Sequence, residues 1–372
     1  MRYSILGRTG LRVSRLGFGA MRLPMVDGDD GEKHINRDLA IPMIHKAFEN
    51  GMTYIDTAVG YCHQDSQRVV GEALKGWRDK IVVSTKNHCY DDEKQWWTHL
   101  ENSLERLGTD YIDIYNTHGV NWKNYCERVE PHVSKWLMKA KEQGMIRHIC
   151  TSFHDNNDAL IKLVDTGFYE SVTVQYNMLD RQMEEGIAHA KAKGMGVVVM
   201  GPVGGGRLGE PSEALQDALS HRTPVPELAM RFVLANPNVD VALSGMSTME
   251  QVIDNLRTCA DPEPLSDADQ EAIEAHLEKL KKMADLYCTG CQYCMPCPQN
   301  IPIARIFDLY NKARIYGLWE SSKNAYQRIG KNPNSPAKQA DACVDCGACE
   351  TKCPQNFPVR ERLREAHEAL KA

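Results

Sequence analysis

Between residues 15 and 258, short apolar runs alternate with longer amphipathic ones. The short runs fall at 15–20, 53–57, 81–86, 111–116, 147–152, 171–176, 196–200 and 240–244. They are rich in β-branched residues and lack clean polar alternation, as parallel strands buried on both faces do. The longer runs predict helices at 38–50, 64–76, 93–107, 125–143, 156–166, 182–193, within 211–235 and at 249–258. Eight strands, each followed by a helix, predict an α/β fold of the (β/α)8 TIM-barrel type. A doubly wound sheet is the alternative. Gly204, Gly205, Gly206, Arg207, Leu208 and Gly209 satisfy G-x-G-x-x-G after a strand. A dinucleotide fold needs a strand after the next helix, yet 226–234 reads as another helix. The glycines therefore predict a backbone loop open to a phosphate.

Beyond residue 260 the pattern changes. Ser266 and Asp269 have the spacing of an N-terminal cap, and Ile273, Leu277, Leu280 and Ala284 form a helical stripe behind it. Ile303, Ile306, Phe307 and Tyr310 form one helix face, and a turn at 332–336 ends that region. These elements predict a barrel domain at 1–265 and a small, mainly α-helical domain at 266–372.

Cysteine usage gives the C-terminal part its chemistry. Eight of 13 cysteines lie in two runs: Cys288, Cys291, Cys294 and Cys297, then Cys343, Cys346, Cys349 and Cys353, each run ending in Cys-Pro. A thiolate at every third residue lets one tight loop present three sulfurs to a cube of iron and sulfide, while the fourth cysteine ligates the other cluster. This predicts two [4Fe-4S] clusters with crossed ligands. Cys288, Cys291, Cys294 and Cys353 would hold one, and Cys343, Cys346, Cys349 and Cys297 the other. Structural zinc gives no reason for two quartets, and disulfide frameworks belong to short secreted chains. The remaining thiols, Cys62, Cys89, Cys126, Cys150 and Cys259, lack ligand spacing and are expected to be buried.

Charge narrows the partners. A net charge of −6 with interspersed signs gives no footprint for nucleic acid or an anionic membrane, and no apolar run is long enough to span a bilayer. Many thiols without a secretory signal lead us to expect a cytoplasmic protein.

In barrels of this type, reacting groups stand at the C-terminal strand ends. Asp56 ends the second strand, Tyr61 follows in the loop, Lys86 ends the third, and His118 lies just past the fourth. An ammonium held by a carboxylate stabilises a phenolate and lowers the tyrosine pKa, and an imidazole can orient a carbonyl oxygen. Each residue alone is as easily a cap or a solvated strand end. The four together, at consecutive strand ends, read as a proton-transfer site.

On these residues the chain resembles the aldo-keto reductase family. Segments 51–61, 103–118 and 144–149 are similar to that family's signatures, and the resemblance covers about residues 1–260. It implies NAD(P)-dependent, reversible reduction of an aldehyde or ketone, so the substrate is a small-molecule carbonyl or alcohol. It makes Asp56, Tyr61, Lys86 and His118 a catalytic tetrad with Tyr61 as proton donor. It also implies nucleotide contacts at Met21, Arg22, Ser152, Gln175, Met200, Gly201, Gly205, Arg207, Gly245, Gln251 and Asn255. Met200 stands where the family stacks a tyrosine, Phe153 replaces an asparagine, and Gln251 replaces an arginine that contacts the 2′-phosphate. Thr173 remains an alternative to Gln175, since both point the same way. NADH and NADPH both stay open. Barrel and tail together resemble a subgroup with a C-terminal ferredoxin-like domain. A second functional reading is an electron-transfer protein serving a redox partner. Hydride moves two electrons and each cluster one, and the sequence offers no convincing flavin site to bridge them.

Overall fold

The computed structural model describes residues 1–28, 32–209, 224–260, 265–283, 288, 294–333, 335–353 and 357–371. Two compact units are present. One is Met1–Gly205 with Glu227–Leu265, and the other is Gly206–Pro226 with Ser266–Ala372.

The first unit contains all eight expected strands: β3 (Leu16–Gly19), β6 (Tyr54–Asp56), β7 (Val82–Asn87), β8 (Ile112–Val120), β9 (Ile146–Phe153), β10 (Ser171–Gln175), β11 (Gly196–Met200) and β12 (Val241–Gly245). They pair in parallel in chain order, and β12 closes on β3 through Leu243–Gly17 and Gly245–Gly19. The TIM-barrel expectation holds and the doubly wound alternative falls. Two antiparallel hairpins were not foreseen. They are β1 (Tyr3–Ile5) with β2 (Arg12–Ser14), and β4 (Met25–Asp27) with β5 (Lys33–Ile35).

Register sorts the barrel interior into layers. Tyr54, Ile114, Cys150, Val198, Val241 and Leu243 pack with Leu6 and Val13, so the first hairpin closes an apolar floor. Two residues further along β6, β8 and β9 the same face turns polar, at Asp56, Asn116 and Ser152, as period-two geometry allows. The outer helices bury amphipathic stripes. Helix Glu93–Leu107 buries Trp96, Leu100, Ser103 and Leu107. It is capped by Asp92, which accepts from Gln95 N at 3.0 Å, and it ends on left-handed Gly108. The helix expected at 125–143 is divided into a π-helical segment, Tyr125–Val133, and an α-helix, Ser134–Glu142. Pro131 lies in the π segment and has no N–H to donate to an α-helical ladder. The glycine run at 204–209 winds into a short 3-10 helix rather than an open loop, and helix Val225–Ala235 follows. No strand of a dinucleotide fold intervenes among the described residues.

The α-helices described in the second unit are Asp267–Met283, Ile303–Tyr316, Trp319–Gln327 and Val359–Leu370, joined by turns and irregular segments. Ser266 and Asp269 form a reciprocal capping box, with Asp269 N donating to Ser266 Oγ at 3.1 Å and Ser266 N to Asp269 Oδ2 at 3.0 Å. Ile303, Ile306 and Phe307 reach the core as the stripe predicts, joined by Tyr326, Leu363, Ala366 and Leu370. Phe307 and Phe357 meet edge to face at 5.3 Å. No described helix is long and apolar enough to cross a membrane.

Candidate active site and cysteine cavity

The C-terminal ends of β6 and β7 bring Asp56 and Lys86 together, both almost wholly buried. The Lys86 ammonium donates to Asp56 Oδ1 and, at 3.0 Å, to the Thr57 carbonyl. Ser84 donates to the other Asp56 oxygen at 2.7 Å, and Asn116 donates to Ser84 Oγ at 3.0 Å. Burial is the largest single influence on Lys86 and lowers its pKa, but the charges of Asp56 and Tyr61 and the hydrogen bonds to both together outweigh it, and the net direction is up. Lys86 Nζ lies 4.8 Å from the Tyr61 ring centroid. His118 meets the same ring edge-on at 6.0 Å. The structure thus gathers all four sequence-derived residues.

Two details differ from expectation. His118 lies within β8, which continues to Val120 with a bulge, rather than past the strand. The Tyr61 phenol is shifted up, not down, because burial outweighs the pull of Lys86. Burial, then the charge of Lys86, drives His118 down to about 3, so its imidazole is neutral at physiological pH.

Tyr61 is fixed by an unusual turn. Cys62, His63 and Gln64 have φ of 49°, 54° and 69°, three successive left-handed side-chain-bearing residues. Each costs roughly 1–2 kcal/mol. The surroundings hold the turn in place. Cys62 Sγ donates to the Met21 carbonyl at 3.4 Å, and Ser66 Oγ to the Ala20 carbonyl at 2.8 Å. Asp65 accepts from Ile35 N at 3.2 Å and from the Arg37 guanidinium at 2.9 Å.

His88 was missed by the sequence reading. Register carries it one step beyond the Asn87–Thr117 pair, level with His118, and both His88 and His154 act electrostatically on His118. The available signal was its spacing of two residues from Lys86 at a strand end. His118 on β8 stands between His88 and His154, which follow β7 and β9, so the three mark a contiguous arc of the mouth.

Of the expected nucleotide contacts, Gln175, Met200, Gly201 and Gly245 lie at the ends of β10, β11 and β12, while Ser152 stands on β9. Gln175 is in register with Met200, and a Cβ on left-handed Gly201 would come within 2.6 Å of the Gln175 amide. The Arg22 stem lies against Gly245, where an added Cβ would sit 3.2 Å away. Asn255 donates to Ser244 at 3.0 Å. Gln251 serves a cap, its Oε1 accepting from Ser247 N at 2.8 Å. Ser152 Oγ accepts from Gly119 N at 2.9 Å. Met21 is exposed at this mouth. Gly205 lies in the 3-10 helix, while the Arg207 side chain lies outside the described residues. Exposed Arg22, whose carbonyl accepts from Ser247 Oγ at 2.6 Å beside the N-terminus of helix Met249–Ala260, fits a phosphate.

In the second unit, Cys297, Cys343, Cys346 and Cys349 line one cavity. Cys294, expected at the other cluster, borders it too. Cys288 and Cys353 pack on the adjoining core, and Cys291 lies outside the described residues. Among the described residues no three His, Cys, Asp or Glu side chains converge on a single ion. Thiols spread around a cavity suit a multi-atom cluster, whose sulfurs stay apart, better than one zinc. Of the remaining thiols Cys89, Cys150 and Cys259 are buried as expected, Cys62 is half-buried, and Cys126 is exposed, against expectation.

A closed parallel barrel with a buried acid–lysine pair under a tyrosine defines a (β/α)8 enzyme of the oxidoreductase class. The chain belongs to the aldo/keto reductase family, whose model matches residues 15–278, and a 4Fe-4S dicluster domain matches residues 287–357. The chain is 29% identical to L-galactose dehydrogenase of Arabidopsis thaliana, with 75% of this chain and 95% of that protein covered. It is 29% identical to the NADH-specific methylglyoxal reductase of Escherichia coli, with 74% and 98% covered. The solved aldo-keto reductase AKR11C1 from Bacillus halodurans, in its holo form, superposes with a TM-score of 0.63 at 28% identity, covering 74% of this chain and 96% of that one.

Proposed function

We propose that the barrel reversibly reduces an aldehyde or ketone with NADH or NADPH, Tyr61 giving the proton, and that the C-terminal domain carries two [4Fe-4S] clusters. The observation that carries the barrel reading is the buried Asp56–Lys86 pair beneath Tyr61 with a neutral imidazole beside it. Burial keeps the Tyr61 phenol protonated at neutral pH, so it meets a carbonyl oxygen with its proton in place. Lys86, held by Asp56 and Thr57, stabilises the phenolate left after transfer. Neutral His118 can donate an N–H to the same oxygen without competing for the proton. His88 and His154 extend this wall, so the β7–β9 arc is the substrate side of the mouth. The nicotinamide, when bound, supplies the hydride. Met21, Arg22, Ser152, Gln175, Met200, Gly201, Gly205, Arg207, Gly245, Gln251 and Asn255 are assigned to its nucleotide.

Cys343, Cys346, Cys349 and Cys297 are assigned to one cluster, and Cys288, Cys291, Cys294 and Cys353 to the other. The clusters, when bound, exchange single electrons. Val344, 61% exposed, and the exposed Cys346 favour exchange with a redox partner protein at that edge. The domains are assigned to 1–265 and 266–372, and the reducing cytoplasm is the compartment that suits these thiols.

Tyr61→Phe tests the barrel reading in the holoprotein. Carbonyl reduction with NADH and NADPH should fall by about 10²–10⁴-fold at unchanged iron content. The activities of the two relatives, an L-galactose dehydrogenase and a methylglyoxal reductase, put 2-oxoaldehydes and sugars at the head of the substrate panel. Equal rates for both proteins on every active substrate would overturn it.

A further inference from the structure

Arg360 lies at the start of helix Val359–Leu370, and it lines the cavity shared by Cys297, Cys343, Cys346 and Cys349. Among the described residues of that lining it is the one with a fixed charge. The others are thiols, apolar groups, Gly347 and Gln299. Its guanidinium is held on two sides. Nε donates to Glu350 Oε2 at 2.9 Å and Nη2 pairs with the same oxygen at 2.7 Å. Nη1 donates to the Asp345 carbonyl at 3.1 Å. The Arg360 backbone N–H completes the clamp on Glu350 Oε1 at 3.0 Å. Asp345 immediately precedes Cys346, and Glu350 immediately follows Cys349. Between them the chain passes through left-handed Asp345 and Gly347, at φ 54° and 72°. One side chain therefore grips the thiol-bearing loop at both flanks while facing the cavity.

A [4Fe-4S] cluster takes on one further negative charge when it accepts an electron. A fixed cation at the cavity wall favours that more negative state, while solvent over the Arg360 side chain, 38% exposed, and the carboxylate on the cation both weaken the effect. We propose that Arg360 is the positioning residue of the cluster assigned to Cys297, Cys343, Cys346 and Cys349. It holds the ligand loop, and its charge raises that cluster's reduction potential against the opposing charge of Glu350. This rests on the two-cluster reading above.

The experiment is an anaerobic redox titration of the full-length holoprotein with dithionite as electron donor, followed by visible absorbance and by the electron paramagnetic resonance of the reduced clusters. Iron and sulfide analysis comes first. Wild type without the content of two clusters would overturn the underlying reading, whatever the potentials. With that content present, Arg360→Gln should move one of the two potentials to a more negative value and leave the other in place. Glu350→Gln should move the same potential the opposite way, and Arg360→Lys should recover most of the Arg360→Gln shift. Unmoved potentials in Arg360→Gln, or shifts of the same sign in Arg360→Gln and Glu350→Gln, overturn the proposal. If Arg360→Gln assembles only one cluster, Glu350→Gln decides. It retains the arginine, so a positive shift supports the role, and a null or negative shift overturns it.

Discussion

The floor and the rim of the barrel are built from the same strands, two residues apart, and they obey opposite rules. On β6 the inward face passes from Tyr54 to Asp56, on β8 from Ile114 to Asn116 and His118, and on β9 from Cys150 to Ser152. The floor gains from removing apolar surface from water, with no demand on charge. The rim places an ion pair, a phenol and imidazoles where desolvation penalises every charged form, and each charge survives there only with a fixed partner. Stability is concentrated at one end of a strand and the proposed reactivity at the other, and the strand itself fixes the distance between them.

Lys86→Met should break the rim most severely. It removes the cation beneath Tyr61 and strands the buried Asp56 carboxylate. Turnover should fall by about 10²–10⁴-fold, and thermal unfolding should register a loss of roughly 3–5 kcal/mol. Ile114→Ala is the complementary cut at the floor. It should cost about 2–5 kcal/mol by chemical denaturation, with kcat/KM little changed. A floor substitution that abolished activity without destabilising the protein would erase the division.

The pH profile sharpens the contrast without a mutation. His118 takes a proton only near pH 3, and Tyr61 and Lys86 lose theirs only above their ordinary values of 10.0 and 10.5. For carbonyl reduction kcat/KM should stay level from about pH 5 to about pH 9. An acid limb at the ordinary histidine value would show His118 to be solvated. Stability has its own sign. The unfolded chain protonates His118 near 6.5 while the folded one resists to about 3, so this group's contribution is lost as pH falls through that interval. Gly201→Ala should have the smallest effect. Its left-handed backbone and its approach to Gln175 should cost about 1 kcal/mol and raise the KM for the nucleotide rather than for the carbonyl substrate.

The parallel strands were legible because burial on both faces demands unbroken β-branched runs, and all eight fell within a few residues of their expected places. The hairpins Tyr3–Ser14 and Met25–Ile35 were not, since three-residue strands carry too little periodicity to stand out. The π-helical segment escaped because its buried Tyr125, Val129 and Val133 repeat at a spacing that an α-helix also permits. Asp56 and Lys86 were readable from strand-end position, and Tyr61 from the loop that follows Asp56. The direction of the Tyr61 shift was not, because it depends on how much burial opposes one charge. His88 sat in plain view two residues past Lys86, but a single histidine carries no motif. Which cysteines share the cavity is a three-dimensional fact, and Cys294 illustrates how little of it spacing contains.

The left-handed turn at Cys62–Gln64 has a consequence for how this protein can change over time. Its conformation depends on carbonyls at Ala20 and Met21, on the N–H of Ile35 and on Arg37 through Asp65, all far away in sequence. A substitution in the turn is therefore acceptable or harmful according to what stands at 20–37. Divergent relatives should alter these two stretches together, as one covarying block, and a grafted turn should arrive inert unless its supporting segment travels with it.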